Sequence, residues 1–240
     1  MNIILNNLTK KYGKNIALNN ISVTINEGMY GLLGKNGAGK TTLMRILTTI
    51  LPYDSGSVEV CGIPYKNARE IRKIVGYLPQ DFSLYPSLTV YEALDYCGTL
   101  SEIPKNERKN RIAALMEKTN LTHESRKKVK ALSGGMKRRL GIAQAMLNNP
   151  KVLIVDEPTV GLDPEERVNF REMLMSYSKE RIVILSTHIV EDIEETCSEI
   201  GILRNGSLAF NGNIENFKDK MNGDKLESAY MNLLKAGVEI

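Results

Sequence analysis

The sequence predicts an α/β protein whose core is a mainly parallel sheet, with an antiparallel β subdomain and a helical subdomain. Two apolar runs, residues 152–155 and 182–185, are each followed by a helix-like stretch, which is the β–α–β pattern of parallel sheets. Short β-rich segments separated by glycines occupy the first third of the chain. Between residues 89 and 147, apolar residues recur at three- and four-residue spacings, which is typical of helices.

The same patterns give the order of the elements and the domain boundaries. In chain order, the predicted strands are residues 3–5, 17–25, 30–33, 57–61, 74–78, 152–155 and 182–185. We expect an α/β core formed by residues 1–81 and 150–220, interrupted by a helical subdomain at 82–149. Apolar residues at helical spacing predict a packed C-terminal helix at 221–240.

Composition and charge narrow the class of protein. The residues are 42% hydrophobic and 25% charged, which is typical of a water-soluble globular protein. The net charge of +4 is too small on this length to indicate a nucleic-acid partner. Widely spaced cysteines without a C-x-x-C pair argue against a disulfide framework or a zinc site. Because no apolar run reaches the ~18 residues of a membrane span, we expect a cytoplasmic protein that reaches a membrane through a partner chain.

Residues 34–42, G-K-N-G-A-G-K-T-T, match the pattern G-x-x-x-x-G-K-[ST], and we call them the phosphate loop. A strand-like run precedes the loop and a helix-like run follows it. Glycines at positions 34, 37 and 39 permit positive φ angles, so that backbone N–H groups can approach a triphosphate closely. We expect Lys40 to bind the β- and γ-phosphates and Thr41 to bind Mg²⁺. The predicted nucleotide-binding residues of the loop are Gly34, Lys35, Asn36, Gly37, Ala38, Gly39, Lys40, Thr41 and Thr42.

Two acidic residues end the apolar run at 152–155. A continuous apolar run suits a central parallel strand, and ligands bind at the carboxyl ends of such strands. We therefore expect Asp156 to hold Mg²⁺ and Glu157 to accept a proton from an attacking water. Alone, the pair is also compatible with a solvated strand end, but the phosphate loop in the same chain favours a catalytic site.

A second glycine motif, the L-S-G-G-M segment, occupies residues 132–136. Ser133 is a favourable N-cap, and residues 137–148 are predicted to form the helix that it caps. A capped helix explains the pattern by itself, but a helix start with glycines in front is also an anion site. The chain thus has two such helix starts and a single phosphate-loop lysine. An economical arrangement is that two copies pair and that each contributes half of a site.

With these motifs in this order, the chain resembles the ATP-binding cassette (ABC) subunits of ABC transporters over about residues 3–235. The resemblance implies a P-loop NTPase fold, with ATP and Mg²⁺ as ligands and ATP hydrolysis coupled to transport. It also implies a homo- or heterodimer of ATPase subunits bound to a multi-span membrane permease. Such a subunit is peripheral to the inner face of the cell membrane, and no nucleic-acid partner is expected.

The resemblance assigns roles to residues outside these motifs. Tyr12 matches the aromatic residue that stacks on adenine, and Gln80 matches the glutamine that touches Mg²⁺ and the attacking water. His188 matches the histidine that contacts the γ-phosphate, and residues 161–163 match a loop that crosses the dimer interface. The expected catalytic residues are Lys40, Gln80, Glu157 and His188, and the expected Mg²⁺ ligands are Thr41, Gln80 and Asp156. The residues expected to act across the dimer are Ser133, Gly134, Gly135, Met136 and Asp163.

The chain departs from the family pattern at Met136, where the family usually has glutamine. The difference matters because methionine cannot form the hydrogen bonds of an amide. In the family that the chain resembles, the segment that matches residues 84–91 forms a groove that holds a helix of the membrane subunit. We call residues 84–91 the docking segment. Packing inside the helical subdomain would explain their apolar side chains equally well. The basic residues from Arg126 to Arg139 are predicted to form a solvated face, with contact to anionic lipid headgroups as the alternative.

The direction of transport rests on resemblance alone. The docking segment, the L-S-G-G-M segment and residues 226–230 look like those of exporter ATPases. A soluble member of the same family, such as the iron–sulfur assembly type, is an alternative because it is also a single cassette. A small-molecule kinase would explain the phosphate loop but not the L-S-G-G-M segment.

Overall fold

The computed structural model describes residues 1–159 and 162–236. Its strands, in chain order, are β1 (Asn2–Tyr12), β2 (Asn15–Asn26), β3 (Gly28–Leu33), β4 (Ser55–Val60), β5 (Ile63–Pro64), β6 (Val75–Leu78), β7 (Val152–Asp156), β8 (Ile182–Ser186), β9 (Glu199–Arg204) and β10 (Ser207–Asn213). Its helices are α1 (Lys40–Leu47), α2 (Ala68–Ile74), α3 (Val90–Leu100), α4 (Lys105–Lys118), α5 (Gly134–Met146), α6 (Pro164–Ser178), α7 (Val190–Thr196), α8 (Ile214–Lys220) and α9 (Leu226–Ala236).

The central sheet has the strand order β10-β9-β3-β8-β7-β6 in the described part of the chain. Strands β9, β3, β8, β7 and β6 run parallel, and β10 pairs antiparallel with β9. Every residue of β7 and β8 is buried, as expected for central strands covered on both faces. The register pairs Asp156 with Ser186, so the segments that follow β7 and β8 leave the sheet at the same edge.

Alternate residues of β7 face two different cores. Leu153 and Val155 pack with helices α6 to α9, whereas Val152 and Ile154 pack with α1 and with a second sheet. This second sheet is antiparallel and has the strand order β2-β1-β4-β5. The arrangement confirms the predicted fold class, in which a mainly parallel core carries an antiparallel β subdomain.

Helices α3, α4 and α5 share a core of their own, which includes the buried side chains of Leu94, Ile112 and Leu140. Helix α3 begins with a capping box, in which Glu92 N donates to the Thr89 hydroxyl and Thr89 N donates to the Glu92 carboxylate. Helix α5 begins and ends slightly earlier than the predicted span of 137–148, because the Ser133 cap starts it directly at the glycines.

Several predicted element ends differ from the structure. Strand β1 runs well beyond the predicted residues 3–5, because register shifts let its polar residues continue pairing with β2. Ile74 ends α2 and does not begin β6. Strands β9 and β10 were not predicted, and β9 is hidden in the sequence by a central glycine and a charged residue at each end.

The C-terminal helix α9 begins at Leu226, later than the predicted residue 221. Leu226 and Leu233 are fully buried in the core that also contains α8, and Tyr230 packs against it. Residues 237–240, which the prediction included in this helix, lie outside the described residues.

Candidate active site

A cavity of about 610 Å³ lies where several strands of the central sheet end. Most of the phosphate loop after β3 lines it, together with Gln80 after β6 and Asp156 and Glu157 at the end of β7. The lining also includes Tyr12 at the end of β1, residues 15–17 at the start of β2, and Asn205 and Gly206 in the turn between β9 and β10. The fold therefore brings to one cavity residues that are widely separated in the sequence, as the carboxyl edge of a parallel sheet does for ligand sites in general.

The phosphate loop depends on glycine for two different reasons. Gly39 has φ +110°, and a Cβ atom there would lie 2.6 Å from the Ala17 carbonyl oxygen. The positive φ expected at Gly34 is wrong, since its φ is not in the left-handed region. Glycine is needed at that position for close packing instead, because a Cβ atom would lie 2.6 Å from the Leu203 carbonyl oxygen. The loop is thus fixed between β2 and the end of β9.

Lys40 is buried at the start of α1, and its ammonium donates a hydrogen bond of 2.5 Å to the Gly34 carbonyl oxygen. Burial lowers the pKa of Lys40, and the nearby carboxylates of Glu157 and Asp156 oppose that shift. The backbone carbonyl of the loop thus partly satisfies this cation. An anion in the cavity would provide a stronger, charge-assisted partner.

Asp156 is almost fully buried, and one of its oxygens, Oδ2, accepts a hydrogen bond of 3.1 Å from the Thr41 hydroxyl. The other oxygen, Oδ1, and the hydroxyl of its sheet neighbour Ser186 are buried and have no hydrogen-bond partner in the described structure. Burial raises the pKa of Asp156 and the negative charge of Glu157 adds to the shift, while the Thr41 and Ser186 hydroxyls beside the carboxylate and the Lys40 cation oppose it. An unsatisfied carboxylate oxygen beside two hydroxyls is the chemistry that a hard cation such as Mg²⁺ requires.

The donor set therefore fits a Mg²⁺ ion that takes part of its coordination from phosphate and water. Among residues 1–159 and 162–236, no three His, Cys, Asp or Glu side chains are grouped so as to hold a metal by themselves. This agrees with the general behaviour of Mg²⁺, which is commonly bound through one or two carboxylates and substrate phosphates. The protein ligands would be Asp156 and Thr41, with Gln80 on the same cavity wall.

Asp156→Asn is expected to stabilise the nucleotide-free protein while removing its response to Mg²⁺. The raised pKa means that the folded protein disfavours the charged carboxylate, and the neutral amide removes this penalty. We expect a melting temperature above that of the wild type, because the substitution removes a buried negative charge. Scanning fluorimetry with nucleotide, with and without Mg²⁺, would measure both effects against the exposed control Asp219→Asn. A lower melting temperature, or an unchanged Mg²⁺ response, would contradict this interpretation of the site.

Glu157 lines the cavity and is in direct contact with His188, which is not itself among the lining residues. The buried Glu157 carboxylate accepts a hydrogen bond of 3.3 Å from the backbone N–H of His188, and His188 Nδ1 lies 2.8 Å from the same oxygen. Glu157 has φ +49°, an unfavourable backbone conformation for this residue, and its N–H donates to the Ser186 carbonyl oxygen. The His188 side chain is 57% exposed, so it can contact both Glu157 and a ligand.

The residues expected to act across a dimer do not line this cavity. The Ser133 hydroxyl accepts from Met136 N at the start of α5, and the Asp163 carboxylate accepts from Glu166 N at the start of α6. Gly134 is exposed, and a Cβ atom added there would meet nothing within 4 Å. The Met136 side chain packs partly against the core of α3, α4 and α5. Gly161, from the expected interface loop, lies outside the described residues.

Sequence analysis missed the role of Arg138, which it placed on a solvated face. That prediction is wrong for this residue, because its guanidinium donates to five backbone carbonyl oxygens around the site. The acceptors are the carbonyls of Pro79, Gln80, Asp156, Glu157 and Pro158. Asn205 was missed as well, although an Asn-Gly pair is a recognised hairpin signal that would have located the turn between β9 and β10.

Comparison with known proteins decides the family. The family described as ABC transporter matches residues 18–160. The linearmycin resistance ATP-binding protein LnrL of Bacillus subtilis is 35% identical over 92% of this chain and 72% of its own length. The chain belongs to the ABC transporter family. The bacitracin transport ATP-binding protein BcrA of Bacillus licheniformis is 39% identical over 84% of the chain and 66% of its own length.

Solved structures of ABC ATPases agree with this assignment. An ATP-binding subunit of an ABC transporter superposes with a TM-score of 0.89 at 26% identity, covering 98% of this chain and all of the other. A dimeric ATP-binding cassette in a post-hydrolysis state, bound to ADP and Pi, superposes with a TM-score of 0.80 at 25% identity over 88% of this chain and 98% of its own. The chain is thus the ATP-binding and hydrolysing subunit of an ABC transporter, as the sequence motifs indicated. No helix in the described part of this ABC ATPase is long and apolar enough to cross a membrane.

Proposed function

We propose that this ABC ATPase drives an exporter, in which two ATPase subunits close head-to-tail around two Mg·ATP and move a separate multi-span permease. The subunits are two copies of this chain, or one copy and a similar partner. The observation that carries the proposal is the incomplete cavity. It contains most of the phosphate loop, Gln80, Asp156 and Glu157, whereas Ser133 and Gly134 of the L-S-G-G-M segment are exposed at a helix start that does not line it. A second subunit's segment would complete the site.

Within this closed site, each residue of the cavity has a distinct task. Lys40 binds the β- and γ-phosphates in place of its present carbonyl partner. Glu157 accepts the proton of the attacking water, and its contact with His188 fixes the direction of its carboxylate. Bound Mg²⁺, held by Asp156, Thr41 and Gln80, would neutralise charge on the phosphates. The γ-phosphate is the contact that distinguishes the closed state from the open one, so its loss on hydrolysis opens the dimer.

Tyr12 is proposed to stack on adenine, and the residue is 47% exposed on the cavity wall. The Lys10 ammonium lies 5.6 Å from the ring centroid and helps to hold the ring in place. Tyr12→Ala is expected to raise the KM for ATP about tenfold, since base–aromatic stacking contributes about 1–3 kcal/mol per base. Tyr12→Trp retains a stacking face and should keep the wild-type KM. Steady-state kinetics of both variants would test this, and an unchanged KM in the alanine variant would remove Tyr12 from the site.

Export as the direction of transport is supported by the relatives. Their descriptions include linearmycin resistance, bacitracin transport and Nod factor export, the last for a protein of Ralstonia nicotianae that is 39% identical over 83% of this chain and 63% of its own length. These relatives are ATP-binding proteins of transport and resistance systems, which does not favour the soluble, non-transport alternative. The proposed location is peripheral to the inner face of the cell membrane.

The docking segment is proposed to hold a helix of the permease. Leu84 and Pro86 line a cavity of about 290 Å³ whose apolar floor includes Leu140 of α5. Tyr85 is 56% exposed and forms an edge-to-face pair with Tyr96 of α3, with their ring centroids 5.3 Å apart. The lining of this cavity is mainly apolar and includes Lys130 and Lys137, and with the neighbouring exposed Tyr85 it suits an amphipathic helix.

Tyr85→Glu is expected to abolish export in cells while leaving the ATPase activity of the isolated protein within about twofold, as for other surface substitutions. The reason is that Tyr85 lies outside the nucleotide cavity and its exposed ring makes a surface contact. Ile50→Glu is a matched control, because Ile50 is an equally exposed apolar residue far along the chain from the docking segment. Loss of both activities in Tyr85→Glu would show that Tyr85 has only a packing role.

The partner itself can be identified from native membranes. A tagged chain is crosslinked in the cell, captured, and analysed by mass spectrometry, with the Tyr85→Glu variant captured in parallel. Recovery of a multi-span protein with the wild type and its loss with the variant is the expected result. Recovery of a soluble partner at comparable amount would instead support the iron–sulfur assembly type of ABC ATPase.

A further inference from the structure

Arg138 connects two segments of the active site that the sheet itself leaves unconnected. Strands β6 and β7 pair in parallel up to Leu78 and Val155, where their register ends. Asp156 still pairs with Ser186 of β8, but beyond this point the two strands are no longer paired with each other. The Arg138 guanidinium bridges them, with Nη1 donating to the carbonyls of residues 79 and 80 at 3.1 and 2.8 Å, and with Nη2 and Nε donating to those of residues 156–158.

Other groups cannot easily replace this bridge. Pro79 and Pro158 have no N–H group, so the two segments cannot extend the sheet ladder through these residues. Glu157 has a positive φ. One guanidinium nitrogen of Arg138, Nη2, donates to the carbonyl oxygens of both Asp156 and Glu157. The Glu157 N–H is held by the Ser186 carbonyl of β8, and Arg138 holds the carbonyl side of the same residue, so the direction in which its backbone leaves β7 depends on where Arg138 lies.

Arg138 is itself attached to the L-S-G-G-M segment through a continuous helix. It lies in the second turn of α5, which begins at Gly134 under the Ser133 cap. The same helix approaches β6 so closely that a Cβ atom at Gly141 would lie 2.6 Å from Leu78 Cδ1. A displacement of the start of α5 would therefore move Arg138 with it, because a packed helix moves as one body.

We propose that Arg138 is a positioning residue through which nucleotide bound at the L-S-G-G-M segment aligns Gln80 and Glu157 of the same chain. The inference rests on the proposed head-to-tail dimer, in which that nucleotide belongs to the partner's phosphate loop. Each subunit then hydrolyses its own ATP efficiently only when it also holds its partner's ATP. Hydrolysis at the two sites is cooperative for this reason.

The chemistry of arginine is what makes the bridge possible. Its planar guanidinium presents five donors in a fixed fork, so two sets of carbonyls can be bound at once and held at a fixed separation. Lysine keeps the charge but offers one small ammonium group that cannot reach both segments in the same geometry. Arg138→Lys therefore tests the bridge and not the charge.

Steady-state kinetics of Arg138→Lys are expected to show kcat lowered between about tenfold and 100-fold, the range that a misplaced catalytic group produces. The KM for ATP should change little, and the Hill coefficient for ATP should fall to 1. Arg111→Lys is the control, since Arg111 also donates to a carbonyl of the helical subdomain, that of Leu147 at 3.1 Å, but contacts no residue of the cavity. A wild-type kcat and Hill coefficient in Arg138→Lys, or equal changes in kcat and KM, would overturn the inference.

A second variant separates positioning from folding. Arg138→Ala should recover part of its turnover when methylguanidinium is added to the assay, whereas Arg111→Ala should not respond. Absence of recovery in a folded Arg138→Ala protein would overturn the proposal. Failure of the dimer itself is detected independently, because Glu157→Gln would then remain monomeric with ATP whatever the kinetics of the Arg138 variants.

Discussion

Glu157→Gln is expected to lower ATP turnover about 10³-fold, within the range of about 10²–10⁴ that a positioned general base contributes. The amide has nearly the same shape as the carboxylate and can still contact His188, but it cannot accept the proton of the attacking water. ATP affinity should be preserved, because the phosphates are bound by the phosphate loop and not by Glu157. Phosphate release at saturating ATP measures the first effect, and titration with a fluorescent nucleotide measures the second.

The matched control is Glu172→Gln, which makes the same chemical change at an exposed position on α6. It should leave turnover and nucleotide affinity unchanged. If Glu157→Gln retained a substantial fraction of the wild-type turnover, then the base would have to be another group, and the assignment of the acidic pair after β7 would fail.

Lys40→Met is expected to weaken ATP binding about 100-fold, which corresponds to the about 2–5 kcal/mol commonly lost when one partner of a buried charge pair is truncated. Methionine keeps the aliphatic stem of this buried side chain but has no cation for the β- and γ-phosphates. Hydrolysis should be undetectable. Isothermal titration calorimetry with ATP and Mg²⁺ would give the affinity directly.

The same variant should be folded and at least as stable as the wild type without nucleotide. Burial lowers the pKa of Lys40, so the nucleotide-free fold disfavours the charge that the substitution removes. The exposed Lys66→Met is the control for loss of a lysine. Near-normal ATP affinity in Lys40→Met, or a protein that is unfolded without nucleotide, would contradict the proposed role.

The parts of the site that were predictable from sequence are those whose function depends on neighbours in the chain. The phosphate loop, the acidic pair after β7 and the Ser133 cap each combine a local backbone pattern with a side chain whose chemistry is evident. The central strands were predictable for the same reason, because burial on both faces requires continuous apolar runs at 152–155 and 182–185.

The features that sequence analysis missed depend on contacts between distant segments. Gly34 is needed because the Leu203 carbonyl lies against it, and nothing near Gly34 in the sequence shows this contact. Arginine is typical of protein surfaces, and only the fold reveals that the Arg138 guanidinium binds carbonyl oxygens where β6 and β7 end. A charge pattern cannot distinguish a solvated arginine from one that binds buried carbonyls.

The central claim, that two ATPase subunits share two nucleotides between the phosphate loop of one and the L-S-G-G-M segment of the other, is tested most directly by light scattering. Glu157→Gln is measured by size-exclusion chromatography with Mg·ATP, alone and combined with Gly134→Asp. The aspartate fits without a clash within the chain, since a Cβ atom at Gly134 meets nothing within 4 Å, but its charge would repel a partner's phosphate. We expect Glu157→Gln to have twice the monomer mass only with ATP, and the double variant to stay monomeric while still binding ATP. A Glu157→Gln protein that binds ATP yet remains monomeric, or a double variant that dimerises equally well, would contradict the claim.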